Sequence, residues 1–112
     1  MRPLLHPSLD DLRPDAILHA LADRERAAIF ADIARSECVE RCSEVAEQRG
    51  RTVPKSSLSQ HLKILREAGL VRSERVGAQL RNHSRCTEVE QRFPGLIKAI
   101  LTAYEKEDSA AG

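Results

Sequence analysis

With 112 residues, 41% of them hydrophobic and 31% charged, the chain fits one folded domain with a modest core and is too apolar for a disordered polymer. No apolar run approaches the roughly 18 residues of a membrane span, and the opening stretch MRPLLHPSLDDLRPD is acidic and proline-broken, unlike a signal peptide, so a cytoplasmic location with no membrane partner is expected. The net charge of +1 conceals an asymmetry: residues 1–50 hold seven Arg against ten acids, residues 51–85 hold eight cations against Glu67 and Glu74, and the remainder holds three cations against five acids.

In chain order, Pro14 suits the first turn of a helix, and DAILHALA over 15–22 puts Ile17, Leu18 and Leu21 on one face. Asp23 is placed to cap a second helix, DRERAAIFADIARSE, whose buried stripe is Ile29, Phe30 and Ile33. Ser43 before EVAEQR signals a short third helix with Val45 and Ala46 inward and Gly50 as its stop. Pro54 opens a fourth, closed by Gly69, in which Leu58, Leu62 and Leu65 fall within about 60° of one another. The period then changes from helical to alternating: LVRSERVGAQLRNHSR turns at Gly77-Ala78 between Val71, Val76 and Leu80, giving a two-stranded hairpin that carries arginines. Thr87 with Glu90 resembles a capping box. After Phe93-Pro94-Gly95 a last helix carries Leu96, Ile97, Ile100, Leu101 and Tyr104, and EKEDSAAG is expected to fray.

This order predicts a mainly α fold with a β-hairpin wing, a winged helix-turn-helix of about five helices and two strands. Residues 1–112 form one domain: an N-terminal arm over 1–13, a first helix over 14–22, the helix-turn-helix over 43–69, the wing over 70–85, helical residues over 88–107 and a polar tail over 108–112.

The fourth helix carries the functional signal. Opposite its leucine stripe lie Ser56, Ser59, Gln60 and Lys63, with Lys55 and Ser57 near the start, Glu67 one turn later and His61 on the border. A helix kept only for stability favours Ala, Glu, Lys and Arg over Ser, which is a poorer helix former. Short hydroxyls let a backbone approach a surface closely, while Gln and Lys supply reach, which are the needs of a helix entering a major groove. Free N–H groups at its N-terminus suit phosphate oxygens. In the hairpin, Arg75, Gln79 and Arg81 are placed to reach the sugar-phosphate backbone or the neighbouring minor groove; the competing interpretation is ordinary strand-edge polarity. The basic block between acidic flanks gives the surface a direction toward a polyanion.

Other classes fit less well. The chain has no Gly-rich phosphate loop, paired acids or nucleophile motif, so catalysis is not expected and no cofactor is called for. Phe30, Phe93 and Tyr104 are its aromatics besides none in the basic block, so base stacking on single strands has no platform there. A winged-helix protein-interaction module without DNA readout is the alternative.

SSLSQHLKILREAGLV resembles the recognition helix and first wing strand of the ArsR/SmtB family of bacterial winged-helix repressors, whose pattern is similar to S-T-V-S-H-H-L-x-x-L-x-x-A-G-L-V. ILHALADRERAAIFADIA resembles the first two helices of that family, and RFPGLIKAIL the final helix of a non-metal-like subgroup that also has a PKS entry to the recognition helix. The resemblance covers about residues 14–104 and implies a homodimeric repressor joined through helices 14–22 and 88–107 and bound to an inverted repeat in double-stranded promoter DNA. An apolar last helix at the edge of a small domain asks for a cover, and twofold pairing sets two reading helices about 34 Å apart, one turn of B-DNA. Ile17, Leu18, Leu21, Leu96, Ile97, Ile100, Leu101 and Tyr104 are the expected interface stripe, some of it intramolecular core.

Many members of the family sense metals, through a C-x-C motif entering the third helix or Asp, His and Glu ligands along the last helix. Here ECVERCSEV has no such cysteine pair, the last helix lacks His, and His6, His19, His61 and His83 are scattered, so no metal is expected. Cys38, Cys42 and Cys86 are redox candidates. A helix spanning both would set Cys38 and Cys42 about 6 Å apart along its axis, at the edge of disulfide range, and Arg41 beside Cys42 would favour a reactive thiolate. The competing interpretation is small buried hydrophobes in a reducing cytosol. The operator, regulated genes and inducer are not written in the chain.

Overall fold

In a computed structural model, residues 6–36, 38–39 and 55–111 are described. The expected third helix at 43–49, Gly50, Arg51, Pro54 and Cys42 lie outside the described residues.

The arm leads through a short 3-10 turn at Leu9–Asp11, held by Ser8 Oγ donating to Asp11 Oδ2 at 2.8 Å, to the buried Leu12. Helix α1 spans Pro14–Leu21, and Pro14 stands in its first turn, where the missing N–H costs nothing. Ile17, Ala20 and Leu21 face the core at helical spacing. Helix α2, Arg24–Ser36, is capped as expected: the Arg26 N–H donates to Asp23 Oδ1 at 2.9 Å. That backbone bond is the main reason the Asp23 carboxyl titrates below its ordinary value, with the Arg26 charge and His61 acting in the same direction.

After α2 the sequence interpretation needs a correction. A two-residue strand β1, Cys38–Val39, follows Ser36, so the helix does not reach Cys38. The four-residue helical spacing proposed for Cys38 and Cys42 is therefore absent, because the backbone at Cys38 is already extended and paired with the hairpin.

Helix α3, Lys55–Glu67, buries Leu58, Leu62 and Leu65 against the core. It ends in a Schellman motif, with Leu70 N–H donating to the Leu65 carbonyl and Gly69 N–H to the Arg66 carbonyl, both at 3.0 Å. Gly69 sits at φ 86, and a Cβ there would meet Leu12 Cδ2 at 2.1 Å. The glycine thus serves both the reversal of the chain and the close approach of the arm.

Strands β2, Val71–Val76, and β3, Gln79–Ser84, form the hairpin around Gly77-Ala78, with Gly77 at φ 63 as a tight two-residue turn demands. The sheet order is β1-β3-β2, all antiparallel, with Cys38 opposite His83 and Val39 opposite Asn82. The third strand extends the expected two-stranded wing into a small sheet whose outer edge is β2.

Helix α4, Cys86–Arg92, and helix α5, Leu96–Ala111, complete the chain. The expected Thr87–Glu90 capping box does not form. Arg85 occupies the N-cap with no side-chain bond, which puts Thr87 inside the helix, and the Glu90 carboxylate instead accepts from the Gly95 N–H at 3.1–3.2 Å. Helix α5 runs on through the stretch expected to fray. Its Ile97 enters the core and Tyr104 OH donates to the Leu21 carbonyl at 2.6 Å, with the Arg24 guanidinium over the Tyr104 ring and paired with Glu107. No helix among the described residues is long and apolar enough to cross a membrane.

Candidate nucleic-acid interface

The leucine stripe of α3 fixes which way its other face points. With Leu58, Leu62 and Leu65 buried, Ser57, Ser59, Gln60 and Lys63 are exposed together on the outside. The backbone places Lys55 and Ser56 in the first turn, and no acid stands there to neutralise the positive end of the helix dipole. His61 belongs to neither surface: its side chain is 15% exposed, with Nε2 3.9 Å from Glu25 Oε2 on α2. It is a border residue between helices, as the sequence suggested.

On the wing the register divides the expected trio. Arg75 opposes Leu80, whereas Arg81 opposes Glu74, so Arg75 lies on one face of the ribbon and Arg81 on the other, and Gln79 pairs with Val76 beside the turn. Arg75 is exposed; Arg81 is half-buried and stands across from an acid. Arg75 and the exposed Val76 flank the turn, which makes the tip the projecting part of the hairpin.

The basic block's formal excess also overstates its outward charge. Arg85 is buried, donating to the Pro7 carbonyl at 2.8 Å and to Glu88 Oε2 at 2.6 Å. Arg72 lies 3.7 Å from Glu88, and Arg66 donates to Ser73 Oγ at 3.4 Å. The Arg85 hydrogen bond, helped by the charges of Arg85 and Arg72, holds the Glu88 carboxyl below its ordinary range. Three of the eight cations in the basic block, Arg66, Arg72 and Arg85, are thus tied into the frame of the wing. Within the basic block, Lys63 and Arg75 are exposed.

The residues expected to form a second surface, on α1 and α5, differ in exposure within the single chain. Leu18 is 51% exposed, and Leu96, Ile100, Leu101 and Tyr104 are half-buried. Ile17, Leu21 and Ile97 are corrections: at 0%, 1% and 7% exposure within one chain, they retain almost no surface for a partner to cover. Among the thiols, Cys86 is reduced and half-buried at the start of α4, and Cys38 lies on β1. The described residues contain no cluster of His, Cys, Asp or Glu able to hold a metal ion.

Sequence reasoning missed Ser73, Asn82 and His6, which meet beneath the wing. The signal for the first two was present: Val71 and Ser73 share a face by alternation, so a buried serine follows from a buried valine.

Residues 21–74 match the family model described as a helix-turn-helix domain, and the hairpin packed behind α3 supplies the wing. The chain carries a winged helix-turn-helix domain. The same winged helix-turn-helix is found in solved structures. An ArsR-like transcriptional regulator from Rhodococcus sp. RHA1 is 22% identical with a TM-score of 0.58, the match covering 88% of each chain. NolR from Sinorhizobium fredii is also 22% identical, with a TM-score of 0.54, over 84% of this chain and 98% of that one. Among curated proteins, none matches the sequence.

Proposed function

We propose that the protein is a sequence-specific, double-stranded DNA-binding transcriptional regulator of the ArsR type, acting as a homodimeric repressor on an inverted-repeat operator. The observation that carries this is the division of α3 into a buried leucine stripe and an exposed face of Ser57, Ser59, Gln60 and Lys63, beside a projecting wing tip with Arg75. Gln60 offers an amide that can pair with an adenine edge, Lys63 a charge for phosphate or guanine, and the small serines allow the helix to sit deep. The winged-helix regulators of similar fold support the same role.

Twofold pairing through Leu18 of α1 and the half-buried Leu96, Ile100 and Leu101 of α5 would cover the remaining apolar surface and repeat the reading helix for the second half-site. Thiol oxidation is the releasing signal we put forward, because Cys38 lies on β1 and β1 pairs directly with wing strand β3. A mobility-shift assay with duplex from the protein's own promoter tests the reading: the parent retards it, and a Gln60→Ala, Lys63→Ala variant of unchanged stability does not. Failure of the parent to retard any duplex favours the interaction-module alternative.

A further inference from the structure

Ser73 is 2% exposed on the inner face of β2, and its N–H and its hydroxyl are used by different parts of the molecule. Because β2 is the edge of the sheet, the Ser73 N–H is free to point off that edge, and it donates to Nε2 of His6 in the arm at 3.0 Å. The Ser73 hydroxyl donates to Asn82 Oδ1 on β3 at 2.7 Å and accepts a longer bond from Arg66 Nη1, in the last turn of α3, at 3.4 Å. The end of the reading helix and both wing strands therefore converge on one hydroxyl, and the arm joins the same residue through its backbone N–H.

Stability alone does not account for this arrangement. Asn82 is 0% exposed and its Nδ2 has no hydrogen-bond partner among the described residues, so burying that amide nitrogen carries a desolvation cost. An apolar pair of similar size would join the strands without that cost. Directional hydrogen bonds, unlike apolar contact, accept one geometry and resist sliding.

We propose that Ser73 is a positioning residue for duplex recognition, locking the wing at one pitch against the end of α3 and the arm so that Arg75, Gln60 and Lys63 meet one duplex together. The inference rests on the DNA-binding reading above. The test compares the parent with Ser73→Ala, Ser73→Thr and the double variant Ser73→Ala, Asn82→Leu. Three quantities are measured: melting temperature, amide hydrogen exchange in the free protein, and footprints on the promoter duplex.

Ser73→Ala and the double variant are expected to melt within a few degrees of the parent while exchange speeds up across 71–84 and not in α1 or α2. Duplex affinity falls about tenfold or more. Hydroxyl-radical protection from the wing is lost, while protection of guanine N7 in the major groove persists. Ser73→Thr keeps the hydroxyl on a residue suited to a strand and restores both readouts. A parent-like wing exchange and footprint in Ser73→Ala overturns the proposal, as does a loss of exchange protection spread evenly over the domain. A parent that retards no duplex removes the DNA reading itself, and wing exchange in the free protein separates that failure from an inert Ser73.

Discussion

Replacing Gly69 by alanine tests the joint between α3 and the wing. Two costs add there. Gly69 sits at φ 86, where an L side chain is disfavoured by about 1–2 kcal/mol. The new Cβ would also lie 2.1 Å from Leu12 Cδ2 and 3.2 Å from Pro7 Cγ, so Leu12 must move. Leu12 is 2% exposed; twisting it off its rotamer costs about 0.5–1.5 kcal/mol, and expelling it from the core costs up to about 3 kcal/mol. The expected loss for Gly69→Ala is thus about 1.5–5 kcal/mol. Gly77 supplies the control, since its φ is 63 but nothing lies within 4 Å of its added Cβ. Gly77→Ala should cost only the backbone share, about 1–2 kcal/mol. Urea denaturation of both variants measures the difference, expected to equal the cost of moving Leu12, about 0.5–3 kcal/mol. Equal losses would show that the arm does not pack on the joint as described.

Three further outcomes follow from the same geometry. Leu18→Glu is expected to convert a dimer into a monomer in analytical ultracentrifugation without lowering the melting temperature, since Leu18 is 51% exposed in the single chain; a persistent dimer contradicts the pairing surface. Glu88 titrates below its ordinary value chiefly because Arg85 donates to it. Its contribution is therefore complete above the ordinary carboxylate range and is lost as the pH falls through its folded value. The stability gap between the parent and Glu88→Gln should narrow on acidification from about pH 5 to 3, and a constant gap would remove Glu88 from the acid response. Diamide is expected to weaken duplex retardation, with Cys42→Ser abolishing the response; an unchanged shift in oxidant, after reductant is removed, rules out the thiol signal.

The sequence carried those features that depend on local chemistry. Asp23 caps α2, Pro14 starts α1, Gly69 closes α3 and Gly77 turns the hairpin, each because one residue type satisfies a backbone demand on the spot. The leucine stripe of α3 was legible for a similar reason, since helical spacing alone puts Leu58, Leu62 and Leu65 together. What escaped depends on partners distant in the chain. Strand β1 is two residues long and exists through its pairing with β3, so no local period announces it. Thr87 and Glu90 have capping-box spacing, yet the helix begins two residues too early for them to use it. Ile17 and Leu18 are neighbours in one apolar run, and only the position of α2 decides that one is core and the other surface. Arg85 counts toward the charge of the basic block in the sequence and is a buried structural cation because Pro7 and Glu88 close around it.

The central claim is that the exposed face of α3 reads duplex DNA, and its most direct measurement is a binding titration on the promoter duplex and a shuffled duplex of the same composition. The parent should prefer the promoter duplex by at least about a thousandfold at physiological salt, within the range of specific regulators. Gln60→Ala should lose most of that preference. Lys63→Ala should weaken both duplexes alike and lower the salt slope by about one. Equal affinity of the parent for the two duplexes, or an unchanged preference in Gln60→Ala, would contradict the account.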